Sequence, residues 1–217
     1  YLSIILRNSN QNIEADFGEG FWIDHFTYLL DLLESYLSIY PDLDKEVLFD
    51  KKDYKYYESD ALVQPRNAKI VLTPSGSIRQ YGALYHPDLV KVEKFNLKRG
   101  TNWAKDAYGN EVHTNLYSKL YLLAVNKFAL LDNQGIGIEM EAGKPGWNDA
   151  MNGLPGLFGS GISETFELVR IVDTLIDLTN KYPNEVAFLP IELLDLQNKI
   201  NQYLDDKLND YDYWDKV

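Results

Sequence analysis

Apolar residues recur at helical spacing over four stretches of the chain. The first runs from about Phe21 to Tyr40, where Trp22, Phe26, Leu29, Leu33, Tyr36 and Tyr40 share a face that Leu30 and Leu37 widen. Asp24, Asp31, Ser35 and Ser38 leave only a thin polar stripe, so this helix is expected to pack on several sides, and Pro41 stops it. The second begins at Thr114, a suitable N-cap, carries Leu116, Leu120, Leu123 and Leu131 beside Tyr117, Ala124 and Phe128, and ends by Gly135. In the third, Ser163 serves as cap, and Glu164 and Glu167 fall in the first turn, where the helix dipole favours negative charge. Leu168, Ile171, Val172 and Leu175 form its buried side, Glu167, Arg170, Thr174, Asp177 and Lys181 its wet side, and Pro183 its stop. The fourth starts near Pro190 and bears Leu193, Leu196, Ile200, Tyr203 and Leu204.

Between these helices the period is lost. Residues 1–18 open on the apolar run Tyr1–Leu6 and turn polar. Residues 41–112 are irregular: Asp44–Asp50 suits a short helix, and Lys69–Thr73 and Ser77–Tyr81, parted by Pro74-Ser75-Gly76, read as a hairpin. Tyr85–Asn110 reads as loop with short ordered pieces, and the tail from Asn209 is acidic and aromatic without an assignable partner. The pattern predicts a mainly α chain, residues 1–217 forming one helical domain with an irregular insertion at about 41–112 and a small β-hairpin elaboration.

Composition narrows the partners. A net charge of -12 disfavours nucleic acid and anionic membrane surfaces, because both rest on Lys and Arg. No apolar run reaches the roughly 18 residues of a membrane span and no leader is visible, which with the absence of cysteine points to the cytoplasm. Aromatics reach 13%, sixteen of them tyrosine, which suits stacking on sugars or bases and equally a Tyr-rich core. The chain opens at Tyr1 in mid-pattern, so a piece of a longer protein is expected, its remainder a partner of this piece. A homodimer is compatible with this reading.

The candidate chemistry is concentrated in Glu139–Ile162. This segment holds six of the 14 glycines, two of the eight prolines and both methionines, yet also a tryptophan, three carboxylates and two asparagines. Glycine and proline exclude a regular element, and a long loop with that load is usually functional. Trp147-Asn148-Asp149 sets an aromatic face, an amide and a carboxyl side by side, with Asn152 three positions on. Sugar ring faces stack on aromatics while hydroxyls bond Asn and Asp. A carboxyl desolvated near an indole has a raised pKa, which suits a general acid at a glycosidic oxygen. From the residues alone, Trp147 as core and Asp149 as turn cap fits as well.

Trp147-Asn-Asp-Ala-Met-Asn152, preceded by Gly135-Ile-Gly-Ile138, resembles the signature of the cellobiose phosphorylase family, whose Trp-Asn-Asp-Gly-Met-Asn sequence lies on a loop of an (α/α)6 toroid. The resemblance implies that Asp149 is the general acid of an inverting phosphorolysis of a β-linked disaccharide, with inorganic phosphate as co-substrate and no other cofactor. Trp22-Ile-Asp24-His25-Phe-Thr-Tyr28 is more loosely similar to a segment on an earlier helix of that family. On this reading the small saccharide meets Trp147, Asn148 and Asn152, with Glu139, Glu141, Trp22, Asp24 and His25 as further contacts. The chain departs from the family at Gly146, where Asp is usual, and at Ala150, where Gly is. Such a toroid has about twelve helices and the pattern shows four, so the chain alone corresponds to an incomplete, inactive site.

An inverting hydrolase would need a second carboxylate roughly 6.5–9.5 Å from the acid, and Glu139, Glu141 and Glu164 are nearest in sequence. A non-catalytic carbohydrate-binding or scaffolding piece is the other alternative. Pro155–Ser163 lacks the Gly-Lys-Ser/Thr ending of a nucleotide P-loop. His25, His86 and His113 are scattered and form no metal-ligand spacing.

Overall fold

The computed structural model describes residues 4, 7–8, 23–58, 62–63, 68, 70–80, 84–85, 89–95, 103–131, 135–139 and 160–207. These residues are mostly helical. The helices are α1 (Ile23–Ile39), α2 (Leu89–Phe95), α3 (Leu116–Ala129), α4 (Ile162–Lys181) and α5 (Ile191–Lys207). The strands pair antiparallel in twos: β1 (Tyr54–Lys55) with β6 (His113–Thr114), β2 (Leu62–Val63) with β5 (Leu84–Tyr85), β3 (Ile70–Leu72) with β4 (Ile78–Gln80), and β7 (Ile138–Glu139) with β8 (Ser160–Gly161).

Helix α4 is the central element, packed against both α1 and α3, and α5 packs against α3. Its Leu168, Ile171, Leu175 and Leu178 meet Leu30 and Leu33 of α1 and Leu116, Leu120 and Ala124 of α3 in one core. A π-helical turn, Glu46–Asp50, adds Leu48 and Phe49, and the Phe49 ring stacks on Tyr117 at 4.9 Å between centroids. The expected helix over Asp44–Asp50 is therefore present, wound wider than α. The β3–β4 hairpin stands where expected, and Gly76 at φ 79° supplies the turn conformation that a side chain would disfavour.

Several boundaries differ from the sequence reading. Asn115, not Thr114, caps α3: its side chain accepts the Ser118 N–H at 2.9 Å, while Thr114 closes β6. Helix α3 stops at Ala129, so Leu131 packs from beyond the helix and Gly135 serves a later turn at φ 66°. Gly161, not Ser163, is the α4 N-cap, and Ser163 lies in the first turn. Val172 and Tyr36 are 37% exposed and Tyr40 50%, so the second apolar faces of α4 and α1 are uncovered where burial was expected.

The supposed wet side of α4 is where long-range ion pairs form. Arg170 binds Asp31 and Glu34 of α1 at 3.0 and 2.7 Å and Glu167 at 2.7 Å. Lys181 pairs with buried Asp44, which also accepts the Tyr182 hydroxyl at 2.7 Å. Burial raises the Asp44 pKa, but hydrogen bonds from Lys181, Tyr182 and the Lys45 N–H outweigh it and leave the carboxyl below its ordinary value. A depressed carboxyl contributes its stability in full above the unfolded-chain value of about 4 and loses it as pH falls through the folded one. Asp44→Asn should therefore cost about 1–2 kcal/mol at neutral pH, the low end because Lys181 is half exposed and screened, and almost nothing at acid pH. Urea unfolding of both proteins across that range checks it; parallel acid limbs would refute the assignment.

Candidate functional site

The Gly-rich loop is rooted by four residues. Ile138 pairs with Gly161 and Glu139 with Ser160, the residues that flank segment 140–159. Ile138 is 2% exposed and also bridges Leu131, which fixes this stem to the core. Thr165, one turn into α4, donates to the Ile136 carbonyl at 3.0 Å and ties the incoming strand to the helix. Glu139 and Ser160 are thus neighbours at the N-terminus of α4.

Glu164 is buried at this stem. It occupies the third helical position, from which a carboxylate folds back over the cap. Its Oε2 lies 1.8 Å from where a Gly161 Cβ would stand, and it accepts the Ser163 hydroxyl at 3.1 Å. Gly161→Ala should therefore push the Glu164 carboxylate outward and cost about 1 kcal/mol. In a Glu164→Ala background the same substitution meets no clash, so the cycle should show a coupling of about 0.5 kcal/mol or more. Additive losses in urea unfolding would overturn that packing.

Of the residues singled out in the sequence, Asp149, Trp147, Asn148, Asn152, Glu141 and Trp22 lie outside the described residues. Asp24 and His25 fall in the first turn of α1 and Glu139 on β7, their side chains likewise outside the described residues. The fold brings Glu139, Ser160, Gly161 and Glu164 together at the start of α4.

The periodicity gave no sign of a groove of about 400 Å³ between α3, α4 and α5. Tyr121, Phe128, Val172 and Ile176 form its apolar floor, and Thr179, Gln197 and Asn201 its polar edge. Tyr117 and Thr179 hydroxyls meet there at 2.7 Å. Burial raises the Tyr121 phenol pKa, partly offset by its bond to Gln197. Among the described residues no carboxylate lines the groove. Its signal in the sequence was the apolar width of α4, where Val172 and Ile176 exceed what one core face needs.

Among the described residues no group of His, Asp and Glu could hold a metal ion, and no helix is long and apolar enough to cross a membrane. No family model, curated protein or solved structure gives a significant match to the chain.

Proposed function

We propose that the chain is the acid-bearing part of an inverting glycoside phosphorylase acting on a β-linked disaccharide such as cellobiose, within an (α/α)6 toroid. The observation that supports the proposal is the β7–β8 ladder, which pairs Ile138 and Glu139 with Gly161 and Ser160, the residues flanking the segment that contains the Trp147–Asn152 motif, at the start of α4. A segment rich in glycine gains a defined stem in this way, as a loop presenting side chains to a ligand requires. The uncovered outer face of α1 also suits a toroid of layered helices, since Tyr28, Leu32 and Ile39 are 60%, 70% and 69% exposed opposite buried Leu30 and Leu33.

In the proposed reaction Asp149 gives its proton to the glycosidic oxygen as the bond to the anomeric carbon breaks. Phosphate attacks that carbon from the opposite face, which yields an inverted sugar 1-phosphate and a free sugar. Trp147 stacks on a ring face, and Asn148 and Asn152 bond hydroxyls, with Glu139, Glu141, Trp22, Asp24 and His25 completing the pocket. Phosphate is itself the nucleophile, so one protein carboxyl is enough. A hydrolase would need a second, and Glu164 is the carboxylate buried at the loop stem.

The test is product analysis in the full-length protein with cellobiose, with and without phosphate. Sugar 1-phosphate formed only with phosphate supports the proposal. Glucose released at equal rates without phosphate selects the hydrolase, and saccharide binding without turnover selects a carbohydrate-binding or scaffolding role.

A further inference from the structure

The groove between α3, α4 and α5 is polar at one end and apolar at the other. Tyr117 and Tyr121 of α3, Thr179 and Asn180 of α4 and Gln197 of α5 gather where α3 begins. Two bonds fix that alignment: the Tyr117 hydroxyl meets Thr179 at 2.7 Å, and Gln197 bonds Tyr121. The segment leading into α5 is tied to the same end, since the Phe188 N–H donates to Ser118 at 2.8 Å. Helix α4 therefore runs against α3 and α5 runs with it, which carries Val172, Phe128 and Leu204 to the far end. Buried Ala124, Leu175 and Ile200 line the stretch between, and Asn201 stands at the exposed rim.

The dimensions select the occupant. From Tyr117 to Phe128 the helix rises roughly 16 Å. A volume of about 400 Å³ over that length leaves a mean section of about 25 Å². One hydrocarbon chain fits that section, whereas a helix about 10 Å across needs about three times as much. At about 1.2 Å per bond, an extended chain of about ten to twelve carbons with its head fills the slot. Charge selects the head. Among the described residues no charged side chain lines the groove, so an ionised head would lose its hydration without meeting a counter-charge. The polar end offers neutral groups instead. Thr179 donates its proton to the Leu175 carbonyl at 2.7 Å, so Tyr117 is the donor in their pair and its oxygen is left to accept. Gln197 donates to the Tyr121 oxygen, which leaves the Tyr121 proton to give. The two tyrosine rings lie 6.5 Å apart on successive turns. A hydroxyl or an amide, which both donates and accepts, matches them. We propose that the groove binds an uncharged single-chain amphiphile, with a chain of about ten to twelve carbons along Val172 and Phe128 and a hydroxyl or amide head between Tyr117 and Tyr121.

Calorimetric titration of the full-length protein with 1-decanol, decanoate, decylamine and 1-hexanol tests the site. 1-Decanol should saturate a single site with a Kd below about 100 μM. Decanoate and decylamine, of the same length but charged, should bind at least about tenfold more weakly. 1-Hexanol, shorter by four methylenes, should also lose about tenfold or more. Ile176 is 53% exposed, so Ile176→Asp leaves the core intact while setting a charge against the chain, and it should weaken 1-decanol at least about tenfold. Tyr121→Phe removes only the donor to the head, and should weaken 1-decanol about fivefold while keeping its preference over 1-hexanol. Absence of saturable 1-decanol binding, equal affinity for the charged probes, or binding indifferent to Ile176→Asp would each overturn the proposal. None of these outcomes depends on catalysis, so they stand or fall apart from the phosphorylase reading.

Discussion

Asp149→Asn is expected to lower phosphorolysis of cellobiose by about 10²–10⁴-fold, the range for losing a positioned general acid. Asparagine keeps the size and the hydrogen-bonding shape of the side chain and removes only the proton that the leaving sugar needs. The loss should therefore depend on the leaving group. A β-glucoside whose leaving group is stable as an anion does not need that proton, and its cleavage with phosphate should be nearly unchanged in the variant. This contrast separates the acid from the alternative open at the level of sequence, in which Asp149 caps a turn. A cap acts through the loop's conformation, and its loss would slow both substrates alike. Unchanged turnover of cellobiose by Asp149→Asn would sink the acid assignment outright.

The helices were legible because each buries a face of 3.6-residue period. Leu30 and Leu33, Leu116 and Leu120, Leu168 and Ile171, and Leu193 and Ile200 all stand on the predicted elements and all are buried. Proline explained two of the ends: α1 stops before Pro41 and α4 before Pro183. The starts were less legible, because capping is a contest among neighbours with similar side chains. At Thr114-Asn115 the tertiary fold decides, since β6 pairing with β1 keeps Thr114 extended and leaves the cap to Asn115. At Gly161 it is again strand pairing, here with β7, that sets the helix start.

The two-residue ladders β1–β6, β2–β5 and β7–β8 carry no alternating pattern and join distant residues, so nothing local announces them. Among them is the β7–β8 stem, the one part of the candidate site that the fold itself supplies. The chemical types in the loop were readable from residues such as Trp147 and Asp149. The pairing of the flanking residues at the start of α4 was not, because Ile138 and Gly161 are 23 positions apart. The outer stripe of α4 was partly legible, but periodicity does not tell a face buried in the core from one left exposed. Val172 was assigned to the core for that reason, and Ile176 went unread.

Asn115→Ala should cost about 2–4 kcal/mol, a large share of the roughly 5–15 kcal/mol that stabilises a domain. Asn115 is 1% exposed and uses both ends of its amide. Its oxygen accepts the Ser118 N–H at 2.9 Å and the Ser118 hydroxyl at 2.6 Å. Its nitrogen donates to the carbonyls of Val186 at 3.2 Å and Phe49 at 3.4 Å. The Ser118 hydroxyl in turn accepts the Phe188 N–H at 2.8 Å, and the Phe188 carbonyl takes hydroxyl donors from Tyr56 at 2.6 Å and Thr114 at 3.0 Å. One side chain thus caps α3 and joins the π-helical turn to the segment leading into α5. Losing the cap accounts for about 1 kcal/mol, and stranding buried groups accounts for about 1–3 kcal/mol more. Asn115→Asp distinguishes these two contributions. It retains the cap acceptor but turns a charged carboxylate toward two carbonyls, so it should be destabilised at neutral pH and recover as acid protonates it, because the neutral carboxyl can donate again. Urea unfolding across pH reads both variants. A loss below about 1 kcal/mol for Asn115→Ala, or a pH-independent Asn115→Asp, would show that water replaces these bonds and that α3 is held by its apolar face alone.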